Sequence, residues 1–192
     1  AVPSDENECY QLLNACYEYS GASAVRYPRG AGVGAKILPF NKDDYPIGRA
    51  VLSQTFNPIV QNSVAQNPAV QNSTTQELTV PIPVTQSSSS ITQSPIAETV
   101  TPQNSQQKSV VMLVFGTLLQ SANAVAKRLC QEGIFVSVYD MRFVKPLDTK
   151  LLDELLDGSY HLIATLEEHQ LMGGAGSAVN EYVLNHSTKL PK

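Results

Sequence analysis

Apolar positions fall into two patterned blocks, separated by a long stretch without periodicity. In the first block Cys9, Leu12, Leu13 and Cys16 recur at i, i+3, i+4 and i+7, which makes one stripe of an amphipathic helix. Ser4 is the expected N-cap. Asp5, Glu6 and Glu8 follow in the first turn, where the helix dipole favours acids. Gly21 is expected to end the helix in a left-handed conformation. Ala24 to Tyr27 reads as a short strand stopped by Pro28, and a loop with glycines at 30, 32, 34 and 48 follows.

The second block alternates strand and helix. Val110 to Phe115 is a continuous apolar run, as in a strand buried on both faces. Gly116-Thr117 turns into a helix whose Ala122, Val125, Ala126 and Leu129 share a face, and Gly133 closes it. Ile134 to Tyr139 is the next strand, and Pro146 stands ahead of a helix carrying Leu151, Leu152, Leu155 and Leu156. His161 to Leu166 is a third strand, and Gly173-Gly174-Ala175-Gly176 opens a last helix through Val179 and Val183. This alternation predicts an α/β fold: an open, mostly parallel sheet with helices on both faces. In such sheets ligands sit at the carboxyl ends of the strands.

Between the blocks, residues 54–107 hold only Glu77 and Glu98 as charged residues, and Gln, Asn, Ser and Thr fill 31 of the 54 positions. Six prolines interrupt the segment, Gln-Asn pairs recur at 61, 66 and 71, and Ser87 to Ser90 is a homopolymer. So little apolar surface does not offset backbone ordering at about 1–2 kcal/mol per residue, so a disordered insertion over 54–108 is expected. Pairing of this Gln/Asn-rich stretch as β-strands is the rival reading, and the prolines weigh against it.

Composition narrows the function classes. Charged residues are 16% of the 192, and the net charge of −4 argues against an electrostatic nucleic-acid partner. No apolar run reaches the roughly 18 residues of a membrane helix, and the polar, acidic start is unlike a secretory signal. The chain opens at Ala1-Val2-Pro3 without Met, as if entered partway through a domain. Cys9, Cys16 and Cys130 are odd in number and lack metal-type spacing, which points to reduced thiols and a cytoplasmic protein.

Three segments carry candidate chemistry. Arg26-Tyr27-Pro28-Arg29-Gly30 puts two arginines at a strand end, where a planar guanidinium can hold a phosphate or carboxylate; a structural ion pair is the alternative. Asp140 to Asp148 sets Asp140, Arg142, Lys145 and Asp148 after the second strand; the alternative is an Asp–Arg pair fixing the loop, with Asp148 capping the Leu-rich helix. Glu167-Glu168-His169 ends the third strand and suggests acid–base or metal chemistry, against a hydrogen-bonded structural Glu. The glycines at 173, 174 and 176 fit neither a phosphate loop, lacking its Lys-Ser/Thr, nor a dinucleotide fingerprint, because Glu167 to Met172 separate them from the strand. Tight turning and close helix packing account for them.

Six segments occur in register: Pro3 to Glu8, Ser23 to Gly30, Pro46-Ile47-Gly48, Phe115-Gly116-Thr117, Asp140 to Asp148 and Met172 to Glu181. Together they resemble the C-terminal part of the 1-deoxy-D-xylulose-5-phosphate synthase family, thiamine diphosphate enzymes of the transketolase superfamily. The resemblance implies a pyrimidine-domain tail at 1–30, a linker at 31–53, the insertion at 54–108 and a transketolase C-terminal domain at 109–192, incomplete at its end. It also implies condensation of pyruvate with glyceraldehyde 3-phosphate, thiamine diphosphate and magnesium in the full-length enzyme, and a homodimer. The family's cofactor-activating glutamate and magnesium ligands belong to segments upstream of Ala1, so no catalytic, cofactor or metal residue is expected in this chain, and it alone is expected to be inactive. Arg29 matches the second arginine of the family's Arg-Tyr-Pro-Arg-Gly motif, which implies contact with the acceptor's phosphate. A free-standing, non-catalytic dimerisation or binding domain of the same fold is the alternative. A sibling transketolase or 2-oxo acid dehydrogenase β chain is a weaker third.

Overall fold

The computed structural model describes residues 1–58, 107–157 and 160–186. Most of the stretch read as a disordered insertion lies outside the described residues.

Helix α1 spans Glu6–Glu18. Its N-cap is Asp5 rather than Ser4: Glu8 N donates to Asp5 Oδ1 at 2.8 Å. The Ser4 hydroxyl is instead a donor, to Glu8 Oε2 at 2.8 Å, so the two side chains bracket the helix start. The buried face carries Glu8, Gln11, Leu12, Ala15 and Cys16, whereas Leu13 is exposed. The expected stripe is therefore rotated, because two polar residues share the buried side. The chain leaves α1 through an extended Tyr19 (φ −73°, ψ 130°), so Gly21 does not serve as a left-handed cap. Ala24 to Tyr27 forms no regular strand. It runs beside the chain start, with Ala1 N donating to Ala24 O at 2.7 Å and Arg26 N to Ala1 O at 2.9 Å.

The sheet contains β1 (Val51–Phe56), β2 (Ser109–Phe115), β3 (Phe135–Asp140) and β4 (Leu162–Glu167), in the order β1-β3-β2-β4. Strand β2 pairs parallel with both β3 and β4, and β1 pairs antiparallel with β3. The antiparallel strand departs from the expected pattern. It crosses the compositional boundary at 53/54, so Val51 to Ser53 and Gln54 to Phe56 lie together in one strand of the sheet, and disorder does not begin at Gln54.

Helix α2 (Leu119–Gln131) covers one face of the sheet, with Ala122 and Ala126 against Met112, Val114, Val136 and Val138. Helices α3 (Thr149–Asp157) and α4 (Ala175–His186) cover the other. There Leu151, Leu152, Leu155 and Val179 pack on Val111, Leu113, Phe115 and Tyr139. Each such leucine is at most 2% exposed, and burial of a leucine contributes about 1.5–3 kcal/mol. This is the predicted α/β sheet with helices on both faces. Because β2 leads to β3 on one side and β4 lies on the other, the strand order reverses at the carboxyl end of β2, where open sheets form a crevice.

Candidate functional site

The segments flagged for chemistry converge on that crevice. Strand β3 ends at Asp140 and strand β4 at Glu167, on either side of Phe115 and Gly116. The start of the chain closes over it: Val2 is 3% exposed, and its amide donates to Arg142 O at 2.7 Å. A cleft of about 890 Å³ opens beside it, lined by Arg26, Lys145, Glu167 and His169 among others. A second of about 180 Å³ lies between Arg26, Tyr27, Gly116 and Glu168.

The Asp140 to Asp148 segment is structural. Arg142 sits at φ 55° and is 3% exposed. Its Nε donates to Glu8 Oε1 at 2.7 Å, its Nη1 donates to Asp44 O at 3.0 Å, and its guanidinium lies 4.4 Å from the Tyr45 ring centroid. Asp140 does not pair with that guanidinium as the loop-fixing alternative supposed; its Oδ1 accepts the Arg142 backbone N–H at 3.1 Å. Burial, then the neighbouring Glu8 charge and a hydrogen bond with Glu8, push the Asp140 carboxyl well above the usual carboxylate range. The ionised form of Asp140 is thus disfavoured beside the Glu8–Arg142 ion pair. Asp148 caps α3 as the structural alternative supposed: Leu151 N donates to Oδ1 at 3.2 Å and Ala50 N to Oδ2 at 2.9 Å, while Arg49 Nη1 donates to Oδ1 at 2.9 Å.

Glu167 is engaged in the same way. Its carboxylate accepts Ala175 N at 2.8 Å and Gly176 N at 2.9 Å, filling the N-terminus of α4. A Cβ on Gly174 would come within 2.6 Å of Glu167 Oε1, so the glycine run lets the carboxylate reach the backbone. Glu168 and His169 are exposed and line different clefts, so the three residues form no joint acid–base group.

Arg26 lines both clefts, while Arg29 is exposed in the glycine loop and lines neither. Sequence reasoning missed the roles of Glu6, Glu8 and Tyr45. A signal for Glu8 was present in its helical register with Leu12 and Ala15.

A diphosphate held through magnesium needs carboxylates with free lone pairs grouped near one another. Here Glu8, Asp148 and Glu167 are each engaged by an arginine or by backbone amides, and the described residues contain no group of three or more potential metal ligands. The described residues do not fit such a cradle.

Residues 100–191 match the family described as transketolase, C-terminal domain. Over those residues, just under half of its length, the chain is similar to that domain. Likeness extends beyond that domain to nearly the whole chain. The 1-deoxy-D-xylulose-5-phosphate synthase of Psychrobacter cryohalolentis is 39% identical over 97% of this chain and 22% of its own length. That of Psychrobacter arcticus is 40% identical over the same shares, and that of Cellvibrio japonicus is 36% identical over 100% of this chain and 21% of its own. The chain therefore spans about a fifth of the length of these curated relatives. A solved chain described as "Split gene transketolase, inactive beta4 tetramer" overlaps 42% of this chain at 37% identity, with a TM-score of 0.39. The mostly parallel sheet expected from the alternation of strands and helices is present among the described residues. No helix among the described residues is long and apolar enough to cross a membrane.

Proposed function

We propose that this chain is the C-terminal part of a 1-deoxy-D-xylulose-5-phosphate synthase. The full-length enzyme would condense pyruvate with glyceraldehyde 3-phosphate, giving 1-deoxy-D-xylulose 5-phosphate and carbon dioxide for isoprenoid, thiamine and pyridoxal precursors. The observation that carries the reading is 36–40% identity, over 97% or more of the chain, to relatives of that name.

In this reading thiamine diphosphate and magnesium are held by parts of the enzyme outside this chain. When bound, the cofactor supplies the carbanion that adds to the pyruvate ketone. Residues 1–30 are the tail of the pyrimidine-binding domain, latched onto the transketolase C-terminal domain by Glu8 and Arg142. Arg29, exposed and close in sequence to the crevice-lining Arg26, holds the phosphate of the acceptor aldehyde through a charge-assisted fork. The working enzyme is a cytoplasmic homodimer, and the isolated 192-residue chain has no synthase activity.

The test is genetic. The full-length gene should restore growth of a bacterium lacking its own synthase without added 1-deoxyxylulose. Failure of a well-expressed product to do so would sink the reading.

A further inference from the structure

The glycine loop that carries Arg29 is pinned from one side by the first two turns of α1. Glu6 Oε1 accepts Gly34 N at 2.8 Å, and Glu6 Oε2 accepts Ala35 N at 3.2 Å. Farther along, Asn7 Oδ1 accepts Leu38 N at 2.9 Å, and Gln11 Nε2 donates to Leu38 O at 2.9 Å. Successive amides turned inward make a small anion-binding concavity, and here a side chain of the same chain fills it. The Gly34 amide first, then Glu6's own amide and that of Ala35, hold the Glu6 carboxyl below the usual carboxylate range.

The Glu6 carboxylate also packs directly against Gly32. A Cβ there would occupy the position of the Glu6 carboxyl group. Gly34 adopts φ +79°, a conformation that glycine takes without strain and that turns its amide inward. Holding a loop with glycines at 30, 32 and 34 in one shape has a high entropic cost, so an anchor at its downstream end restricts what lies just upstream. On the other side, Arg26 is fixed through its amide to Ala1 O. Arg29 stands between these two anchors and has no hydrogen bond or ion pair of its own among the described contacts.

We infer that Glu6 is a positioning residue for Arg29: its carboxylate, seated on the Gly34 and Ala35 amides, holds the loop in the shape that presents the Arg29 guanidinium to a phosphate-bearing substrate. The inference rests on the reading of Arg29 given under Proposed function. It assigns Glu6 no contact with the substrate. Gly32 and Gly34 are then required as the receptor of Glu6, beyond any freedom of movement they allow.

The test uses the full-length enzyme with pyruvate and glyceraldehyde 3-phosphate, and the variants Glu6→Ala, Gly32→Ala, Arg29→Ala and each of the first two combined with Arg29→Ala. Gly32→Ala evicts the carboxylate without altering α1, so it keeps the test open if Glu6→Ala frays the helix. Loss of the anchor should raise the apparent KM for glyceraldehyde 3-phosphate about tenfold, the scale of a weakened charge-assisted hydrogen bond, with KM for pyruvate and kcat nearly unchanged. In the Arg29→Ala background the same changes should add less than about twofold, because no guanidinium is left to position. If Arg29→Ala is selective for the aldehyde but Glu6→Ala and Gly32→Ala are not, or if their effects multiply with that of Arg29→Ala, the positioning role is overturned while the Arg29 reading stands. If Arg29→Ala affects both substrates equally, the Arg29 reading falls and the positioning role falls with it.

Discussion

Truncating Arg142 to alanine strands a buried carboxylate. In the native chain the Glu8–Arg142 pair is 2.7 Å apart, with side chains 8% and 4% exposed. Glu8 is also bound by the Ser4 amide and hydroxyl, each at 2.8 Å, so it has little freedom to swing out to water. Breaking a buried pair by removing one partner costs about 3–5 kcal/mol, against about 0–1 for an exposed pair. Loss of the Asp44 carbonyl bond and the stacking on Tyr45 acts in the same direction. Arg142→Ala is therefore expected to cost about 3–5 kcal/mol in chemical denaturation followed by far-ultraviolet circular dichroism. Part of that cost is the uncompensated Glu8 charge, so Glu8→Gln combined with Arg142→Ala should cost about 2 kcal/mol less than the sum of the single changes. A loss below about 1 kcal/mol for Arg142→Ala, or strict additivity in the double variant, would refute the reasoning.

Three further outcomes follow from the same geometry. Asp140 has a folded pKa above its unfolded value, so its contribution is most favourable at low pH and is lost as pH rises from the ordinary carboxylate range through the raised value. An asparagine carboxamide has the shape of the protonated acid without its titration, so Asp140→Asn should flatten that decline in stability between acid and neutral pH; an unchanged slope would show that Asp140 is not its source. Gly174→Ala should destabilise by about 1–3 kcal/mol, because its Cβ would collide with the Gln170 backbone carbonyl and also meet the Glu167 carboxylate at 2.6 Å; denaturation midpoints equal to those of the parent would contradict the packing role. In steady-state kinetics of the full-length enzyme, Arg29→Ala should raise the apparent KM for glyceraldehyde 3-phosphate about 10-fold or more while sparing that for pyruvate, and equal effects would make Arg29 structural.

The parts of the fold that were legible in the sequence are those where apolar residues alone decide the pattern. The Val110 to Phe115 run and the leucines of α3 need only burial to declare themselves. Strand β1 was lost because Ser53, Gln54 and Thr55 share the composition of the low-complexity stretch that follows, and its place depends on pairing with β3 about 80 positions away. The α1 stripe came out rotated because Glu8 and Gln11 are buried by partners elsewhere in the chain, Arg142 and the Leu38 carbonyl, which local periodicity does not register. The site divides along the same line. Asp148 and Glu167 serve neighbouring helix termini, so short-range spacing sufficed to suggest a cap and a structural carboxylate. The Glu8–Arg142 latch spans 134 positions, and the seat of Glu6 on the Gly34 and Ala35 amides requires the glycine loop to fold back on α1.

The most direct measurement is a product assay on the purified full-length enzyme, supplied with labelled pyruvate, glyceraldehyde 3-phosphate, thiamine diphosphate and magnesium. The expected result is 1-deoxy-D-xylulose 5-phosphate and carbon dioxide in equal amounts, with a much higher apparent KM when the aldehyde is replaced by one lacking the phosphate. A soluble, folded enzyme that releases neither product, or that turns over both aldehydes equally well, would contradict it.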